Sequence, residues 1–156
     1  MRALISTDPI HRDLGLLLLR LGVGLSMVIH HGWGKITGGP EMWERVGGGM
    51  AHLGLAFAPT MWGFLAAFAE FGGSILLVLG ILFRPAAGML AFTMLVATAV
   101  HVNMSPDNPN SGWAGASHAM ELLAVYVALL LTGPGRFTAW PKRERPATDP
   151  HDRSSD

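Results

Sequence analysis

The sequence predicts an all-α integral membrane protein, a bundle of four transmembrane helices with both termini on the cytoplasmic side. Three observations carry that reading. Half of the 156 residues are apolar and 14% are charged, against about a quarter in soluble domains, which leaves little charge to cover a water-facing surface. Four stretches approach the roughly 20 apolar residues that crossing hydrocarbon requires. The basic residues are unevenly shared among the links between those stretches.

The four predicted spans are residues 14–33, 60–83, 86–104 and 114–133. Pro59 precedes the second, and Arg84-Pro85 separates the second from the third. The turn-rich run from Ser105 to Gly112 stands before the fourth, and Gly133-Pro134-Gly135 ends it. With four spans, the N-terminus, the second link and the C-terminal tail share a side. Those pieces hold Arg2, Arg12, Arg84, Arg136, Lys142, Arg143, Arg145 and Arg153; the other side holds Lys35 and Arg45. Cytoplasmic links carry the excess of Lys and Arg, so the termini are expected inside. Trp33, Trp62 and Trp113 then fall at the outer interface and Trp140 near the inner one, where amphipathic indoles prefer to sit.

The organisation expected is a short cytoplasmic segment over 1–13, a transmembrane domain over 14–140 and a charged, disordered cytoplasmic tail over 141–156. The polar start lacks an apolar run followed by a cleavage site, so no signal peptide is read. A multi-pass protein of the inner (cytoplasmic) membrane follows. In the long segment after the first span, Trp43, Val46, Met50 and Leu53 recur at helical spacing. They suggest a short amphipathic helix on the membrane surface or capping the bundle, against which Gly47-Gly48-Gly49 argues.

Composition also excludes. A formal net charge of zero gives no basic face for nucleic acid. The absence of cysteine removes disulfides, thiolate catalysis and cysteine-ligated clusters.

Ionisable groups in hydrocarbon are costly, so each requires a reason. Arg20, His30, His31, Glu70, His101, His118 and Glu121 lie within the spans or at their ends. Glu70 falls near the midplane, where a carboxylate must be protonated or paired, with Arg20 as the candidate partner. His118 and Glu121, three apart, share a helix face. These groups are expected to converge on one outward-opening cavity with Glu70 at its floor. Their structural alternatives are interhelical hydrogen bonds, a snorkelling Arg20 and an interfacial anchor at His31.

Four places resemble the DoxX family of small four-helix membrane proteins. They are Arg20-Leu21-Gly22 through His31-Gly32-Trp33-Gly34-Lys35-Ile36; Glu70-Phe71-Gly72-Gly73 with Gly80-Ile81-Leu82-Phe83-Arg84-Pro85-Ala86-Ala87; His101 with His118-x-x-Glu121; and Gly133 through Thr138. The resemblance spans about 14–140. It implies the four-helix membrane fold and an association with redox chemistry, since relatives include a quinone-linked subunit of thiosulfate oxidation and a membrane partner of oxidative-stress enzymes. On that footing the chain is expected to be the membrane subunit of a redox system. It would bind quinone, or pass electrons and protons to the quinone pool, with a partner oxidoreductase or as a homo-oligomer. Glu70 and Glu121 are the candidate proton carriers. His30, His101, His118 and Arg20 are the candidate cofactor-binding groups. Two alternatives stand beside it: a non-catalytic anchor or assembly partner, and a haem or metal site built on the histidines.

Overall fold

In hydrocarbon no water is available to the backbone, so each N–H must find its acceptor within its own helix. The computed structural model describes residues 10–139, and among these the regular structure is helical throughout, with no strand. Four helices are long and apolar enough to cross a membrane: α1 (Arg12–Thr37), α3 (Pro59–Leu79), α4 (Phe83–Val102) and α5 (Gly112–Thr132). Between the first two lie α2 (Gly39–Gly47) and a 3₁₀ turn, Gly48–Leu53. Residues 1–9, Trp140 and the tail over 141–156 lie outside the described residues.

Local chemistry sets the boundaries. A lone glycine costs a helix only about 1 kcal/mol, so α1 runs through Gly34 and stops at Thr37, before Gly38-Gly39-Pro40. It does not end at Trp33 as expected. α3 ends at Leu79 rather than Phe83 because Gly80 turns left-handed, at φ +72°. Phe83 instead opens α4.

The segment after α1 forms the short helix that the spacing of Trp43, Val46, Met50 and Leu53 suggests, continued by the 3₁₀ turn and packed on the bundle. α2 packs along the first half of α3 with the two backbones in contact. A Cβ added to Gly47 would sit 1.7 Å from the Pro59 carbonyl oxygen, and one added to Gly63 would sit 1.7 Å from that of Trp43. Gly47-Gly48-Gly49 does not prevent a helix; it ends α2 and converts the chain to 3₁₀.

α1 packs against the second half of α3, with Gly24 seated on Ser74 and Val78. α4 lies along α5, and Met27, Leu77, Leu90, Met94, Tyr126 and Leu129 form the core between them. Outside this core, Leu131 is 74% and Ile29 62% exposed. So apolar a shell is what lipid contact requires. The Arg136 N–H donates to Asp13 Oδ1 at 3.0 Å, and the Ala139 N–H donates to the Leu79 carbonyl at 2.8 Å. The start of α1, the α3–α4 turn and the segment after α5 therefore meet at one end of the bundle, the terminal end. The opposite, loop end carries α2 and residues 103–111.

Candidate functional site

Two irregular turns build the site. Val28–Gly32 in α1 and Ala69–Gly73 in α3 are π-helical. Each adds a residue to the turn and re-aims the side chains that follow, a device often found at functional sites. The two turns touch: a Cβ on Gly32 would lie 2.8 Å from the Phe71 backbone. This contact sets Gly32 level with the middle of α3. Lys35, three residues on, is only roughly 4.5 Å nearer the loop end.

A lysine read from sequence as lying outside the membrane is therefore inside the bundle. Its Nζ donates to Glu70 Oε1 at 2.6 Å. Glu70 is 2% exposed, Lys35 30%. The Trp43 indole N–H donates to the Lys35 carbonyl at 2.8 Å and ties α2 to this turn. The partner of Glu70 is thus Lys35, and the expected pairing with Arg20 does not occur.

Arg20 lies toward the terminal end, fully buried. Its Nη2 donates to the Phe137 carbonyl, its guanidinium carbon stands 5.9 Å from the Phe83 ring centroid, and Gly80 leaves room for Nη1. It clamps the segment after α5 onto the α3–α4 turn and takes no part in the site around Glu70.

Beside the ion pair opens a cavity of about 660 Å³ between α3, α4 and the α2–3₁₀ segment. Lys35 and Glu70 line it at one side, Arg45, His52 and His101 toward the loop end, and apolar side chains line much of the rest. Leu65, Phe68 and Phe92 line it and are also exposed, so the cavity is open on the side of two helices long and apolar enough to cross a membrane. Two polar atoms on its wall are buried without a hydrogen-bond partner: Glu70 Oε2 and the Trp62 indole nitrogen. An acceptor and a donor stand ready for a ligand. His101 Nδ1 donates to the Asn110 carbonyl at 2.8 Å, a tautomer assigned from that bond, which leaves Nε2 uncommitted.

The expected single cavity is in fact divided. Of the residues singled out from sequence, only Glu70 and His101 line it. His118 packs edge-on against His31, ring centroids 5.7 Å apart, in a separate groove of about 210 Å³ between α1 and α5. His30, His118 and Glu121 are exposed on the outside of the bundle. The expectation that His118 and Glu121 face inward fails because Ala119, Tyr126 and Leu129 take the buried face of α5. Among the described residues no group of three or more His, Asp or Glu converges to hold a metal.

Sequence reasoning missed Lys35 and Trp62. That Lys35 belongs to the first helix was legible, since the chain has no firm helix breaker before Gly38-Gly39-Pro40; that it turns into the bundle was not.

These features define a polytopic four-helix membrane protein with a charge pair buried in its bundle. The DoxX family model matches residues 15–103, more than half of the chain, and the chain belongs to that family. The matched stretch contains Arg20, His30, Lys35, Glu70 and His101, and stops before His118 and Glu121. No curated protein and no solved structure matches the chain.

Proposed function

We propose that the protein is the membrane subunit of a redox system and that the cavity beside Glu70 binds a quinone. One observation carries the reading: the buried, unpartnered Glu70 Oε2, fixed by Lys35 on its other oxygen, on the wall of a largely apolar cavity open on the side of α3 and α4. An amphiphile with a polar ring and an apolar tail fits that combination. The ring meets the polar atoms while the tail leaves past Leu65, Phe68 and Phe92 toward lipid.

In this reading Glu70 would accept a hydrogen bond from a ring hydroxyl and could hold a proton at Oε2. Lys35 holds the carboxylate in place, and the Trp62 indole N–H donates to a ring oxygen. A bound quinone supplies two-electron, two-proton chemistry that no side chain here offers. The chain has no cysteine, so thiol or cluster chemistry must come from a partner oxidoreductase. The basic asymmetry of the sequence further supports a cytoplasmic terminal end. Reporter fusions after Thr138 and at Asn108 should then report opposite sides, with Thr138 inside.

Lipid extraction of the purified protein followed by chromatography tests the ligand. Per folded molecule, quinone should accompany the wild type and be depleted in Glu70→Gln and Trp62→Phe. Phospholipid alone in every sample would reduce the cavity to a lipid-filled seam and the protein to a membrane scaffold.

A further inference from the structure

Glu121 is the tenth of the 21 residues of α5 and so lies near the middle of its span. It is exposed, and among the described residues it makes no hydrogen bond or ion pair. A carboxylic acid directed at mid-bilayer hydrocarbon forfeits every hydrogen bond, a cost that membrane proteins avoid by turning such groups toward protein. It has company: His118, one turn away on the same helix, and His30 on α1 are also exposed. In mid-span α3 and α4, by contrast, the exposed residues are apolar, such as Leu65, Phe68, Ile75, Phe92 and Leu95. The ionisable groups at mid-span are thus confined to one face.

We infer that this α1–α5 face is where a second copy of the chain docks, pairing Glu121 of each copy with imidazoles of the other. Two copies inserted in the same direction and meeting through the same face are related by a two-fold axis along the membrane normal, so a residue meets groups at its own depth. The face carries both an acceptor, Glu121, and donors, His118 and His30. His118 is displaced from Glu121 by only roughly 4.5 Å along the helix. One rotation therefore satisfies both carboxyls with groups that the chain already supplies, and no foreign cation is needed. Ser117, Ala124 and Ala128, at i−4, i+3 and i+7 from Glu121, make the stripe that carries it small, beside the larger exposed Met120, Val127 and Leu131, and a small stripe lets helices approach closely. This inference does not rest on the quinone reading.

The absence of native cysteine makes the test direct. Single Ser117→Cys, Ala124→Cys and Phe92→Cys variants are oxidised with copper phenanthroline in native membranes. Covalent dimer is expected at both α5 positions and absent at Phe92. Adding Glu121→Leu to the Ala124→Cys chain should lower dimer yield roughly tenfold, while the folded amount is unchanged because Glu121 bonds to nothing in its own chain. Glu121→Gln, which retains hydrogen bonding, should keep most of it. No dimer at either α5 position, a product of another mass, or a yield indifferent to Glu121→Leu would overturn the second copy as occupant.

Discussion

Among the described residues two charged side chains are almost wholly buried, Arg20 and Glu70, and their surroundings differ. Arg20 is closed in by protein: its Nη2 reaches the Phe137 carbonyl and its guanidinium the Phe83 ring, over a glycine that leaves space for it, while Nε and Nη1 are buried without a hydrogen-bond partner. Glu70 is only half answered. Lys35 takes one oxygen, and the other lies unpartnered on the wall of a cavity. Burial of a charge is therefore a poor sign of function by itself. Incomplete hydrogen bonding is common to both, so what singles out Glu70 is the adjoining space that a ligand can fill.

The comparison is sharpened most strongly by removing one partner of the ion pair. Lys35→Met leaves an uncompensated carboxylate inside the bundle and should destabilise the fold by about 3–5 kcal/mol. Thermal unfolding in detergent measures this, and Lys35→Met with Glu70→Leu should recover most of the loss. If the double variant is no better than the single, the pair is not the interaction being removed.

At the other charge, Arg20→Met should cost about 1.5–3 kcal/mol, the worth of a hydrogen bond from a charged group. Ligand content per folded molecule should stay at the wild-type level, because the clamp and the cavity are separate. Loss of bound ligand in proportion to lost stability at both charges would erase the distinction drawn between them.

A third substitution tests the geometry that joins Lys35 to Glu70. In Gly32→Ala the new methyl meets the Phe71 backbone at 2.8 Å, which must shift. Overpacking of this kind costs about 1–3 kcal/mol. Here the expected signature is a fall in ligand content as well, since the two π turns carry the ion pair.

The smallest effect belongs to Trp62→Phe. The ring is largely retained and one unpartnered indole N–H is lost, so stability should move by less than about 0.5 kcal/mol. Ligand affinity should fall about tenfold, the equivalent of one hydrogen bond, in a quinone titration. An unchanged affinity would place the ligand away from Trp62.

Much of the architecture could be read before any coordinates because membrane solvation leaves few choices. Runs of roughly 20 apolar residues must become helices, and Gly133-Pro134-Gly135 had to end the last one. Arg20 and Glu70 were identifiable as exceptional because their types are costly in lipid. Where sequence reading went astray, the cause was a local rule applied without its neighbours. Trp33 looked like a helix end because indoles favour interfaces, yet nothing there breaks the helix. Gly47-Gly48-Gly49 suggested a loop, whereas Gly47 together with Gly63 admits a backbone crossing that larger residues would forbid.

The sequence by itself determined four membrane-crossing helices, the positions of most of their breaks and the family, since these depend on hydropathy and on residues adjacent in the chain. Only the tertiary structure decided that Glu70 pairs with Lys35 and not Arg20, that a cavity lies between α3 and α4, and that Glu121 faces outward. Those outcomes depend on the rotation of each helix about its axis and on its depth beside its neighbours. Both are set by close contacts between residues distant in sequence, such as Gly32 on Phe71 and Gly24 on Ser74, and an apolar helix surface carries too weak a periodic signal to announce them.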